Sequence, residues 1–137
     1  MGNNISKSAF YLENYYFDKL TMDLSRLLTN DLSIAFDLNG FFHSEDSSFE
    51  LVFLTKISCD KGASSFIELR CKAIYKFIKS INKESIPDYF YSNSIAILFP
   101  YVRAYISMAT TQSNIPGIIL PTLNLSSLGV ELKEKTK

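Results

Sequence analysis

An α+β fold, strands first and helices after, is what this sequence predicts. Two observations carry it. Four stretches ahead of Lys79 place apolar residues at alternate positions, and from Tyr89 to Val130 that alternation gives way to helical spacing in a segment whose one formal charge is Arg103. A third observation bounds the size: 137 residues suit one compact core and are too few for two. The chain is therefore read as a single domain over residues 1–137, with solvated, disordered tails at 1–8 and 132–137.

The first strand is expected from Ala9 to Leu24, with Phe10, Leu12, Leu20, Met22 and Leu24 on one face. Its centre, Tyr15-Tyr16-Phe17, breaks the alternation and predicts a bulge or burial of both faces. Ser25 to Asp31 reads as a polar connection. Ile34, Phe36 and Leu38 mark a second strand ending near Phe42, before the turn-prone run His43 to Ser48. A third follows at Phe49, Leu51, Phe53, Thr55 and Ile57. The fourth has Ile67, Leu69, Cys71, Ala73 and Tyr75 on one face against Glu68, Arg70 and Lys72 on the other. The last two strands share their apolar face only if paired residue numbers sum to an even value. A connection such as 60–64 satisfies this, whereas a four-residue loop would set Phe53 opposite Arg70.

Ser85-Ile86-Pro87-Asp88 predicts a helix start, with Ser85 as cap and Pro87 in the first turn. Beyond it, Leu98, Tyr101, Val102, Tyr105 and Ala109 form one stripe, and Ile95, Phe99 and Ile106 widen it. A helix apolar over so much of its circumference needs cover on two sides, which one small sheet does not supply. The second cover is expected from another subunit, with Leu98, Phe99, Tyr101 and Tyr105 at the interface. Pro116-Gly117 is expected to end this helix. Pro121 should hold Ile118-Ile119-Leu120 and Leu123-Asn124-Leu125 extended, and Ser126 or Ser127 should cap a last short helix.

Composition excludes several functions. Lys+Arg and Asp+Glu number 14 each, so no basic surplus exists to neutralise nucleic-acid phosphates or anionic lipid. Pro100, Arg103, Ser107 and two threonines break an uncharged run already shorter than the ~18 residues a membrane span requires. Cys59 and Cys71 fall far out of register on the hairpin, so no bridge is expected, and no secretory leader pattern is seen. A reducing cytosol fits. Met1-Gly2-Asn3-Asn4-Ile5-Ser6 matches an N-myristoylation pattern, against the plainer reading of a polar N-terminus. His43, the one histidine, lies in a turn with no nucleophile patterned beside it. No phosphate loop, catalytic triad signature or metal-ligand spacing is present, so neither an enzyme nor a cofactor is expected. Glu68, Arg70 and Lys72 read as the solvent side of a half-buried sheet.

The segment Ile97-Leu98-Phe99-Pro100-Tyr101-Val102-Arg103 resembles the I-L-F-P-Y-A-R signature of the SecB protein-export chaperone family. The likeness continues without a gap through Ile106-Ser107-Met108, Ile115-Pro116, Leu123-Asn124-Leu125 and Leu128. It extends more faintly to the first, third and fourth strands. The resemblance implies a four-stranded antiparallel sheet in Greek-key order with two C-terminal helices on one face, assembled as a tetramer from two dimers in the bacterial cytoplasm. It implies a holdase that grips unfolded or precursor polypeptides without ATP, for export or for the antitoxin of a toxin–antitoxin pair.

By the same resemblance the client groove would involve Phe36, Phe41, Phe42, Ile118, Leu120, Leu123, Leu125 and Leu128. Contact with the SecA translocase would fall on Asp23, Phe66 and Glu68, although Lys19 stands where the family has an acid. Two other classes compete. One is a non-catalytic interaction protein of the same fold dedicated to a single folded partner, and the other is a small-molecule pocket on an α+β scaffold.

Overall fold

In the computed structural model, which describes residues 9–26, 31–59 and 65–137, four strands precede two helices. The strands are β1 (Phe10–Met22), β2 (Ser33–His43), β3 (Ser48–Ser58) and β4 (Ile67–Phe77), and the helices are α1 (Asp88–Gln112) and α2 (Leu125–Glu134). All strand pairs are antiparallel and the sheet order is β1-β4-β3-β2, the Greek-key arrangement expected. Both helices cover one face.

The β3–β4 register pairs Phe53 with Cys71 and Ile57 with Ile67, so paired numbers sum to an even value as the shared apolar face demands. Burial along β4 alternates without a break. The loop at 60–64 lies outside the described residues. The N–H of Phe66 closes the hairpin by donating to the Ile57 carbonyl at 2.8 Å.

In β1 the register shifts twice against β4, between Leu12 and Asn14 and between Phe17 and Lys19. Each bulge adds one residue and reverses the face of the strand beyond it, so two of them restore the original phase. Phe10 and Leu12, then Tyr15 and Phe17, then Leu20 and Met22 consequently share the helix side with the inward residues of β4. The broken alternation at Tyr15-Tyr16-Phe17 is the stretch between the bulges.

The core lies between the sheet and α1. Phe90 is fully buried, with the rings of Phe10, Phe49, Tyr75, Phe77 and Tyr91 at centroid distances of 4.7 to 5.7 Å. The Tyr75 hydroxyl donates to the Ser94 carbonyl at 2.5 Å, which satisfies the one polar atom that ring brings inside. Burial pushes that phenol upward in pKa. Cys59 and Cys71 form no disulfide, and both are buried.

Helix ends differ from expectation in three places. Ser85 closes a 3-10 turn, Lys83–Ser85, that is capped by the Asn82 side chain, and α1 begins after Pro87 with no side-chain cap. At its other end α1 stops at Gln112, short of Pro116-Gly117, because Asn114 takes a left-handed φ of 64°. Helix α2 is capped by Asn124, whose Oδ1 accepts from the Ser127 N–H at 3.2 Å, so Leu125 lies within the helix.

The expected tail at 132–137 is ordered. Leu132 is buried, the Thr136 hydroxyl donates to the Leu132 carbonyl at 2.7 Å, and Thr136 forms a parallel bridge with Gly40 of β2. The Lys137 N–H donates to the Gly40 carbonyl and the Phe42 N–H donates to that of Lys137, both at 2.9 Å. Gly40 permits this approach, since a Cβ there would meet the Phe49 ring and would lie 2.6 Å from the Thr136 hydroxyl. Charge repetition in Lys133 to Lys137 masks the buried positions in the sequence. The N-terminal tail and its myristoylation pattern lie outside the described residues.

Candidate functional site

The flank of α1 beside β1 carries apolar surface that the protomer leaves uncovered. Ile97, Tyr101 and Met108 are exposed along it. Helical spacing puts them on one line, because residues three and four apart share a face. Tyr101 stacks on Tyr15 of β1 with centroids 4.3 Å apart, and the rings of Phe17 and Tyr105 lie at 4.4 Å. Leu98, expected at a subunit interface, is fully buried under α1 within the protomer. The inward 3.6-residue phase takes Leu98 with Ile95, Val102 and Ile106, and leaves Ile97 in its place outside.

On the opposite flank of α1 the chain after Asn114 runs back along the helix. Its placement rests on Thr110: the hydroxyl donates to the Ile106 carbonyl at 2.8 Å and accepts the Ile118 N–H at 2.9 Å. Gly117 lets the loop lie against the helix, since a Cβ there would sit 2.7 Å from the Thr111 hydroxyl. The loop is extended, so successive side chains alternate. Ile118 and Leu120 turn inward and are buried, whereas Ile119 between them is 69% exposed. The expected groove residues Ile118 and Leu120 thus belong to the core, and Ile119 takes their place at the surface.

Between α1 and this loop lies a cleft of about 280 Å³ lined by Phe99, Pro100, Arg103, Ala104, Ser107 and Ile119. That volume falls at or below the ~300–1,000 Å³ typical of small-molecule sites and suits a bulky side chain. Pro100 has no N–H to offer the Ala96 carbonyl one turn back, and its ring forms part of the apolar wall. Phe99 links the cleft to β2: its ring lies 6.0 Å from Phe36 and 6.3 Å from Phe53. Phe36, Phe42, Leu123, Leu125 and Leu128 are half-buried at the margin of the same core. Phe41 is separated from them, because it pairs with Glu50 and so faces the opposite side of the sheet from Phe36 and Phe42.

That outer sheet face carries ion pairs among Tyr11, Tyr16, Phe41, Val52, Leu54 and Ile74. Asp18, at the second bulge, accepts from Arg70 Nε at 2.8 Å and lies 3.5 Å from Lys72 Nζ. The Arg70 hydrogen bond holds the Asp18 carboxyl below the ordinary carboxylate range. Lys19 Nζ reaches Glu68 at 3.1 Å, so the lysine neutralises the neighbouring acid. Phe66, expected at the translocase contact, is buried, and its carbonyl accepts the Asp23 N–H at 2.8 Å. Of the three expected contact residues, Asp23 and Glu68 reach the surface and Phe66 does not.

No helix among the described residues is long and apolar enough to cross a membrane. No group of three or more His, Cys, Asp and Glu among them could hold a metal ion. His43 is exposed at the last position of β2.

The sequence pattern of the family described as "Preprotein translocase subunit SecB" matches residues 11–135. The chain belongs to the SecB family. It is 27% identical over 136 residues to an uncharacterized protein, MJ0357, of Methanocaldococcus jannaschii, covering 93% of this chain and 87% of that one. Among solved structures it is similar to the SecB-like chaperone Rv1957 of Mycobacterium tuberculosis, in complex with a ChAD peptide from the Rv1956 HigA1 antitoxin. The TM-score is 0.69 at 13% identity, with 85% of this chain and 89% of that one covered. A protein of unknown function from Streptococcus agalactiae aligns with a TM-score of 0.47 at 13% identity, over 82% of this chain and 97% of that one. The sheet order and the two helices on one face are thus a SecB fold carried on a divergent sequence.

Proposed function

We propose that this SecB family member is a non-catalytic chaperone that holds unfolded polypeptides without nucleotide, in the cytoplasm. The observation that carries this reading is the uncovered apolar surface of α1 and its return loop, where Ile119 stands exposed over a cleft walled by Phe99 and Pro100. Unfolded chains present the apolar side chains that such a surface takes from water, and each buried methylene contributes about 0.8 kcal/mol. Membership of the SecB family supports the reading, as does the similar fold of Rv1957, which is described with an antitoxin peptide bound.

The assembly we propose is a homo-oligomer, a tetramer built as a dimer of dimers, with Tyr105 beside the exposed line Ile97, Tyr101 and Met108 at the contact between copies. Clients would be precursors for export or an antitoxin. Engagement of SecA through Asp23 and Glu68 is the weaker branch, since Glu68 is already paired with Lys19. A second reading keeps the same fold as a partner for one folded protein, and the smallness of the cleft favours it to the extent that a single side chain fills it.

The test is aggregation of a chemically denatured protein on dilution, followed by light scattering without nucleotide. Suppression at near-equimolar subunit ratio is the expected result. Complete inactivity on several unrelated apolar clients, alongside stoichiometric capture of one folded protein, would establish the second reading instead.

A further inference from the structure

The sheet order leaves β2 with one margin of N–H and C=O groups that meets no strand, and such a margin is a template for another chain. Part of it is closed by the residues that follow α2. Lys137 donates its N–H to the Gly40 carbonyl and accepts the Phe42 N–H, both at 2.9 Å, so Thr136 and Lys137 lie along β2 as a short parallel strap. Side chains tie the strap down: the Thr136 hydroxyl donates to the Leu132 carbonyl at 2.7 Å, and Lys135 Nζ lies 3.0 Å from Asp37 of β2. Position 40 is shaped for it, since a Cβ there would come within 2.6 Å of the Thr136 hydroxyl and 3.1 Å of the Leu132 side chain. The β2–β3 register has no bulge, so the backbone groups of Ile34, Phe36 and Leu38 point to the same margin as those of Gly40 and Phe42. Among the described residues no backbone hydrogen bond from outside the sheet reaches those three.

We infer that Thr136 and Lys137 guard this margin against β2 of a second copy of the chain, and so keep the assembly finite. Two β2 strands are complementary about a two-fold axis at Leu38. In that antiparallel register Phe36 meets Gly40 and Ile34 meets Phe42, which keeps the apolar faces together, and Asp37 meets the neutral Asn39. An axis at Asp37 would set that carboxylate against its own copy, so the first register is favoured. The same symmetry makes a short strap sufficient. Covering Gly40 and Phe42 blocks both the residues themselves and the places across the axis where they would have been met, so only Leu38 against Leu38 stays open. The β2 margin lies at the opposite side of the sheet from β1, and a chain that joined copies both there and along the α1 flank could grow into an open assembly. This inference goes beyond the chaperone reading and holds whether or not clients bind.

The experiment measures the molar mass of the full chain by light scattering over a range of concentrations. Thr136→Ala with Lys137→Pro removes the hydroxyl and the N–H that hold the strap and leaves α2 unaltered through Glu134. Lys135→Glu loosens the strap from Asp37 by charge alone. Both variants, checked for folding by thermal midpoint, are expected to show a mass that rises with concentration to about twice the wild-type value or beyond, with the smaller rise in Lys135→Glu. The wild-type mass should stay constant over the same range. Residue 39 reports the register: added to Thr136→Ala with Lys137→Pro, Asn39→Asp opposes Asp37 of the other copy with a like charge and should restore the wild-type mass, whereas Asn39→Lys should bring the rise to lower concentration.

A mass equal to wild type in both strap variants would overturn the inference. So would a rise indifferent to residue 39, which would show non-specific association of an opened edge. Unchanged mass together with tighter binding of an extended peptide would give the margin to a client instead, and equally overturn it. If Thr136→Ala with Lys137→Pro lowers the thermal midpoint sharply, Lys135→Glu, with and without the changes at residue 39, decides alone, since it leaves the backbone contacts of the strap untouched.

Discussion

Replacing Ile119 with alanine separates binding from folding more sharply than any other single change. The side chain is 69% exposed, so only about a third of it contributes to the stability of the protomer. Ile119→Ala removes three carbons, which at about 0.8 kcal/mol each are worth about 2.4 kcal/mol when fully buried. If a client covers the exposed two-thirds, about 1.5 kcal/mol of binding is lost, roughly tenfold in affinity at a site of single-segment length. Folding should lose less than about 1 kcal/mol by the same reckoning. The assay is anisotropy of a labelled, permanently unfolded peptide alongside urea denaturation of both proteins. Unchanged affinity with an unchanged denaturation midpoint would refute the assignment of the return loop to the client surface. A large loss of stability would show that Ile119 is covered in solution by something the protomer lacks, such as a second copy.

Other consequences are equally accessible. Gly40→Ala should cost about 1–3 kcal/mol and expose the Phe42 and Lys137 amides to hydrogen exchange, because its Cβ would displace the Phe49 ring and Thr136; wild-type stability would contradict the packing described for β2. Burial pushes the Cys71 thiol up to about 12, with the Asp18 charge adding to it. At pH 8 only about one thiol in ten thousand is then ionised, so a disulfide reagent should label Cys71 only under unfolding conditions, and labelling at the rate of free cysteine would show the core to be open. The Asp18 carboxyl, depressed first by its hydrogen bond from Arg70, binds protons less readily in the folded state than in the unfolded one. Its contribution to stability is therefore present above the unfolded pKa and fades as pH falls through the lower folded value. Asp18→Asn should flatten the thermal midpoint against pH below about pH 4, and parallel acid limbs in the two proteins would contradict the ion pair.

How much of the fold and of the candidate site is legible in the sequence depends on whether a segment gives its phase as well as its period. In β3 and β4 every charged residue falls on one face, although Val52, Leu54 and Ile74 share it, so the period names the buried face and the parity of pairing is settled with it. In β1 the period is interrupted, and the sequence signals one interruption where two bulges stand. The run Ile118-Ile119-Leu120 has no polar residue to set its phase. An extended chain must alternate there, yet only the Thr110 hydroxyl, by fixing Ile118 inward, decides that Ile119 faces outward. Leu98 and Ile97 pose the same problem on a helix that is apolar most of the way round. Phe41, Phe42 and Phe36 form one aromatic set in sequence, whereas strand pleating sends Phe41 to the other face. The caps depart from expectation for a related reason: several Ser and Asn residues near each helix end have cap chemistry, and the backbone conformations at Pro87, Asn114 and Asn124 choose among them.

Hydrogen exchange of the full chain with and without a bound unfolded client bears most directly on where that client lies. Protection should appear at amides of the return loop and the adjoining turns of α1, around Gly117 to Leu123 and Phe99 to Ser107, while the outer sheet face built on Lys19, Glu68 and Arg70 stays unchanged. Protection confined to that outer face, or none anywhere at saturating client, would contradict the account.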